Sequence, residues 1–297
     1  EVSLVVSVTR KVPATALPPR DLVPPTLDDI KTDVVETGVL RPLPARPVDL
    51  GARDRWRPVV PPGVSLGHYL ITAGTFGCLV HRDGEPLILS NNHVLANTNA
   101  AEVWDPILQP GAADGGTERD RIARLFEFVP LVFESEPSEC ELADLTARLL
   151  NSIARAMGSC HVLEPVRRTG GVNSLDAALA RPLSPNQVTN EILGIGAPEG
   201  TAPAPLGTKV QKAGRTTGVT QGVIAQVEAT VRIDYYGPKA IFKNQLIASA
   251  MSEGGDSGSA VLDMQKRVVG LLFAGSPATT VFNPIEAVLT AFGVEIL

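Results

Sequence analysis

From Gly63 onward the chain is a succession of apolar runs, each too short for a helix and each closed by glycine, proline or a charged turn. "YLITAGTFGCLVHRDGEPLILSNNHVL", "DRIARLFEFVPL", "LDAALARPL", "TKVQKAG", "GVIAQVEATVRIDYY" and "RVVGLLFAGS" supply apolar runs of strand length. Regular turn punctuation between such runs predicts an all-β body, a barrel or a sandwich. The 27 glycines and 25 prolines fit that turn density. Asp83-Gly84, between two apolar runs, is a hairpin signal. No run approaches the roughly 18 apolar residues of a membrane-spanning helix. A net charge of −6 argues against a non-specific nucleic-acid surface.

Three segments depart from the pattern. Leu142, Leu145, Leu149, Ile153 and Met157 recur three and four apart in "SECELADLTARLLNSIARAMGS", residues 138–159, and predict an amphipathic helix. Ser138 with Glu141 reads as a capping box, and Gly158 as the stop. The readings for such a helix are a docking face for a partner, a surface for self-association, a cover over a cleft, or a surface elaboration with no role. "PIEAVLTAFGV", residues 284–294, predicts a C-terminal helix with its proline near the first turn and a glycine stop. Residues 1–62 hold 11 of the 25 prolines. They are expected to form a small appended segment, with strands in "EVSLVVSVTRKV" and "KTDVVETGVL" and an extended proline-rich linker up to residue 62.

"SEGGDSGSAVL", residues 252–262, places two glycines, an aspartate and another glycine around Ser257. A plain turn needs fewer; this one holds a single hydroxyl in a constrained position. A serine becomes a nucleophile when a histidine takes its proton and a carboxylate orients that histidine. The four histidines are His68, His81, His93 and His161, and all precede Ser257. That order, with Ser259 where a nucleophile elbow needs glycine, excludes an α/β-hydrolase. His93, in "LILSNNHVLA", directly follows an apolar strand. Asp176, in "NSLDAALA", starts another, where burial demands a hydrogen-bonded partner. Asp105, Asp114, Asp120 and Asp144 stand in weaker contexts. No group of residues has zinc-ligand spacing, so no metal and no organic cofactor is expected.

With "SNNHVLA", "SLDAALA" and "GGDSGSAVL" in that order, and "KAGRTTGVTQGVI" at 212–224, the chain resembles the chymotrypsin-like (trypsin-fold) serine proteases of the bacterial streptogrisin and α-lytic type. The resemblance covers about residues 63–297. It implies two perpendicular six-stranded β-barrels: 63–182, with a helical insertion at about 134–172, and 183–297 with the C-terminal helix. His93 and Asp176 would come from the first barrel and Ser257 from the second. The backbone N–H groups of Gly255 and Ser257 would form the oxyanion hole. Arg215 would pair with Asp256 to shape that loop. Met251 would lie at the base of the specificity pocket, with Phe273, Ala274 and Gly275 along its wall. With no aspartate at the base, a small or apolar side chain is the expected preference.

Val94 stands where the family usually has a cysteine, leaving Cys78 without its partner. A straight helix would also hold Cys140 and Cys160 roughly 30 Å apart, too far to bridge. Free thiols and the absence of a leader-like start give a cytoplasmic expectation. The implied function is a serine endopeptidase acting on protein or peptide substrates. The competing class is an idle binding or scaffold module on the same fold. A module of that kind usually loses a triad residue or the oxyanion glycine, and here all are retained.

Overall fold

The computed structural model describes residues 3–39 and 51–297. The first barrel is built from Ser65–His68, Cys78–Arg82, Glu85–Ser90, Pro106–Leu108, Arg121–Phe128 and Ala178–Pro182. It closes where Gly63 N–H donates to Phe76 O at 2.6 Å and Phe76 N–H donates to Val64 O at 2.9 Å. Asp83 and Gly84 form the two-residue turn that the sequence predicts, at φ +51° and +81°, between the paired Arg82 and Glu85. Two consecutive positive φ values match the right-handed twist of the flanking strands.

The second barrel uses Lys209–Gly214, Gly218–Asp234, Lys239–Ser249, Ala260–Asp263, Val268–Gly275 and Thr279–Pro284. Pairing of Lys239–Ser249 with Thr279–Pro284 closes the ring. A shared apolar core joins the barrels: Cys78, Leu87 and Leu89 from the first meet Ala260, Leu262 and Leu271 from the second. The C-terminal helix Ile285–Phe292 adds Ile285, Val288, Leu289 and Phe292 to it and ends at Gly293, φ +60°. Burial of one such side chain contributes about 1.5–3 kcal/mol, so this seam is a main source of the barrels' fixed relation.

The insertion is an antiparallel ribbon, Ser135–Pro137 with Val166–Arg168, carrying the helix Glu141–Ala156 at its end. The capping box does not form. Cys140 is the N-cap, and Ser138 Oγ instead accepts the Cys140 N–H at 3.2 Å, closing the preceding turn. No residue of this helix is buried; Leu142 is 73% exposed and Leu149 61%. The base of the insertion is tied to the second barrel. Val172–Asn173 lies parallel to Ile241–Phe242, and Glu134 N–H donates to Lys239 O at 2.7 Å.

In the N-terminal segment, Leu4–Val8 pairs in parallel with Ile30–Glu36. Residues 40–50 of the expected linker lie outside the described residues. Residues 51–62 are not an extended spacer. Ala52 and Val60 are buried, Arg55 pairs with Asp120, and Val60 N–H donates to Gln187 O at 2.8 Å. Val60 enters the first-barrel core, and half-buried Trp56 packs against that core.

Candidate active site

Strand Glu85–Ser90 runs out into a single helical turn, Asn92–Leu95, which presents His93. Asn91 fixes the entry to that turn by donating its side-chain amide to Asp176 O at 2.7 Å. His93 Nδ1 and Asp176 Oδ2 are 2.6 Å apart, and His93 N–H reaches Asp176 Oδ1 at 3.3 Å. A carboxylate only accepts, so Nδ1 carries the proton and Nε2 keeps its lone pair. Nε2 is buried and has no partner among the described residues.

Asp176 is fully buried, and each part of it is held. Its N–H donates to Asn283 Oδ1 at 2.9 Å, and Asn283 in turn donates to Gln245 Oε1 at 2.6 Å. Its Oδ2 also accepts the phenol of Tyr235 at 2.7 Å. Burial, then the Asp176 charge, hold the Tyr235 hydroxyl well above its ordinary pKa. Tyr235 was not singled out in the sequence. The inward alternation Val231, Ile233, Tyr235 was legible there, but its partner 59 residues away was not.

Ser257 lies on the loop between Lys239–Ser249 and Ala260–Asp263, and this loop is seated on the first barrel. Thr75 N–H donates to Ser257 O at 2.8 Å, and Thr75 Oγ1 donates to Gly255 O at 2.8 Å. Ser90 Oγ, three residues before His93, donates to Thr75 O at 2.8 Å. The loop thus shares Thr75 and Ser90 with the strand end that leads to His93. Ser257 Oγ makes a single long hydrogen bond, 3.4 Å to Phe273 O, and none to His93. The hydroxyl therefore rests on the Phe273 carbonyl and not on the imidazole.

The glycines on either side of Asp256 and Ser257 have steric causes. Gly255 has φ +96°, and a Cβ there would run into the Arg215 guanidinium and sit 2.5 Å from Thr216 Oγ1. A Cβ on Gly258, φ +95°, would collide with Ser90 Oγ and Thr75 O. Neither the Gly255 nor the Ser257 N–H donates to an acceptor among the described residues. Two free amides beside a hydroxyl suit an anionic oxygen.

The expected Arg215–Asp256 pair is replaced by two others. Arg215 binds Asp114 through both ends of its fork, Nε to Oδ2 at 2.5 Å and Nη2 to Oδ1 at 2.6 Å. Asp256 takes the ammonium of Lys212 at 3.1 Å, with both side chains fully buried. It also accepts the N–H groups of Thr216, Thr217 and Glu253 and the Thr217 hydroxyl. The rearrangement has a geometric reason. Val210, Lys212 and Gly214 turn inward from one strand and bring the lysine to Asp256, while the planar fork of Arg215 takes both oxygens of Asp114, whose Oδ2 also accepts the Ser65 hydroxyl at 2.6 Å. Burial pulls the Lys212 pKa below its ordinary value, and Asp256 partly offsets this.

The expected pocket residues are all close to fully buried. Met251 packs in the second-barrel core with Val210, Ile224 and Phe282. The Phe273 ring packs tilted against Phe242 at 4.8 Å within the core that also holds Ala274, and its carbonyl accepts the Ser257 hydroxyl. Gly275 pairs with Thr280 across the strand edge. Of the remaining histidines, His68 contacts Asp105 at 3.1 Å, His81 faces Glu295 at 3.8 Å, and His161 is exposed.

Two closed β-barrels with a His–Asp pair on one and a glycine-bounded serine on the other define the chymotrypsin-like class. Known folds agree. Thermobifida fusca protease A matches with a TM-score of 0.51 at 17% identity, over 80% of this chain and 98% of that one. An α-lytic protease homologue, N4, matches at 0.52 and 16% identity, over 80% and 98%. A glutamic acid-specific serine protease matches at 0.50 and 19%, over 80% and 100%. Streptogrisin-A of Streptomyces griseus is 31% identical over 97 residues, spanning 31% of each chain. The trypsin-like peptidase domain family matches residues 74–271, and the chain belongs to that family.

Proposed function

We propose that the protein is a serine endopeptidase in which Ser257 is the nucleophile, His93 the general base and acid, and Asp176 the orienting carboxylate. The single observation that carries the reading is the 2.6 Å contact between His93 Nδ1 and Asp176 Oδ2, which leaves a buried, unpartnered Nε2. The reading requires the Ser257 side chain to leave Phe273 O and bring its proton to Nε2. Catalytic hydrogen bonds are often long without substrate and tighten when it binds.

Oγ then attacks the scissile carbonyl as Nε2 takes the proton. The N–H groups of Gly255 and Ser257 hold the oxygen that becomes negative. Collapse of the tetrahedral adduct expels the amine, which receives the proton from Nε2. Water repeats the sequence on the acyl-enzyme and frees Ser257. Lys212 and Asp256 fix the loop that presents the two amides.

One observation favours an idle binding module: the Ser257 hydroxyl bonds to Phe273 O and not to His93. An organophosphonate probe on folded protein decides between the two. An adduct on Ser257, with peptide hydrolysis abolished in Ser257→Ala, supports the peptidase. An intact, unlabelled serine in folded wild type supports the module.

A further inference from the structure

Tyr235 sits at the end of strand Gly218–Asp234, in the long hairpin of the second barrel. His93 and Asp176 belong to the first barrel. The phenol therefore crosses from one barrel to the acid–base pair of the other. Its oxygen is 2.7 Å from Asp176 Oδ2, the same atom that accepts His93 Nδ1–H at 2.6 Å. Since the carboxylate has no proton to give, the phenol is the donor. Oδ2 thus receives two hydrogen bonds, one from each barrel.

The ring is locked. Phe133, from the base of the insertion, packs edge-on against it at 5.8 Å, and the His93 ring lies edge-on at 5.9 Å. Tyr235 N–H donates to Pro238 O at 2.8 Å, closing the hairpin turn. The hairpin is tied to the insertion by Arg232 Nε to Glu134 Oε2 at 2.6 Å and by the Glu134 N–H bond to Lys239 O. A phenol needs none of this to fill a core; phenylalanine would fill the same volume. The distinctive feature is a polar atom aimed at the one carboxylate that orients the base.

We infer that Tyr235 is a positioning residue for the proposed peptidase: its hydroxyl fixes the Asp176 carboxylate and tempers the charge on the oxygen that holds the His93 imidazole. The inference rests on the peptidase reading and deepens it. Without the hydroxyl, Asp176 Oδ2 has one donor fewer and the carboxylate gains a torsional freedom. Substrate contacts are untouched, so the loss falls on the chemical step.

The test is Tyr235→Phe, read three ways: steady-state kinetics on a peptide substrate, the NMR resonance of the His93 Nδ1 proton, and the urea unfolding midpoint. The expected result is kcat lowered about tenfold, the order of effect of one hydrogen bond to a charged group, with KM within twofold. The Nδ1 proton resonance moves, and the variant remains folded at the assay temperature. Unchanged kcat with an unmoved resonance overturns the inference. A loss shared between kcat and KM with an unmoved resonance also overturns it, because a merely structural tyrosine acts that way. If wild type neither hydrolyses peptide nor labels at Ser257, the peptidase reading fails, and the resonance alone decides whether Tyr235 positions the pair.

Discussion

Replacing Lys212 by methionine removes the ammonium from a fully buried ion pair while keeping most of the side-chain volume. Asp256 then stays buried with its charge and without its cation. Breaking such a pair from one side costs about 3–5 kcal/mol. Four other donors still serve Asp256: three backbone N–H groups and the Thr217 hydroxyl. The loss therefore falls at the lower end, about 3 kcal/mol, or roughly a hundredfold in the folding equilibrium. Urea unfolding followed by tryptophan fluorescence at neutral pH reads it directly. Lys212→Met/Asp256→Asn removes both charges and should recover part of the deficit, since the unpaired carboxylate is what destabilises the single variant. Peptidase activity should fall with the pair, because Asp256 lies between Gly255 and Ser257. If Lys212→Met unfolds within about 0.5 kcal/mol of wild type, the size of an ordinary surface substitution, Lys212 does not support the loop.

Tyr235 makes an alkaline prediction. Its folded-state pKa is raised well above the ordinary 10.0, chiefly by burial. The stability this contributes is complete below pH 10 and is lost as pH rises above it. Urea titrations should show wild type losing stability above pH 10 relative to Tyr235→Phe; parallel curves would show that the phenol is not protected. Gly255→Ala should cut kcat by at least about 10²-fold, the cost of one lost oxyanion donor, by driving the loop off Arg215 and Thr216; full activity would show that the loop tolerates a side chain. Cys78 is buried, with its pKa pushed up to about 12, whereas Cys140 and Cys160 are exposed. An aromatic disulfide reagent at pH 8 should titrate two thiols quickly and the third only on unfolding; three fast thiols would contradict the burial of Cys78.

The strand-rich body was legible because barrel strands are short, alternate in polarity and end in turn residues that act locally. Asp83-Gly84 and Gly293 show this: each carries its backbone requirement within a residue or two. His93, Asp176 and Ser257 stood out because each sits where a strand ends or begins. Arg215 was misassigned because a motif gives order along the chain, while the choice between Arg215 and Lys212 depends on which side of a strand faces Asp256. The alternation of Val210 and Lys212 held that information. Asp114 and Tyr235 were out of reach for another reason. Their partners, Arg215 and Asp176, are brought to them only by barrel closure and by the hairpin of the second barrel. The inward packing of residues 51–62 was masked by their prolines, which read as a spacer until Ala52 and Val60 are seen buried.

Activation of Ser257 by His93 is the step on which the proposed peptidase depends. The direct measurement is the rate of fluorophosphonate labelling, with the adduct located by peptide mass spectrometry, in wild type, Ser257→Ala and His93→Ala of equal urea stability. The expected result is one adduct per chain on Ser257 in wild type, none in Ser257→Ala, and labelling slowed by several orders of magnitude in His93→Ala. Equal labelling rates in wild type and His93→Ala, or an adduct on another residue, would contradict it.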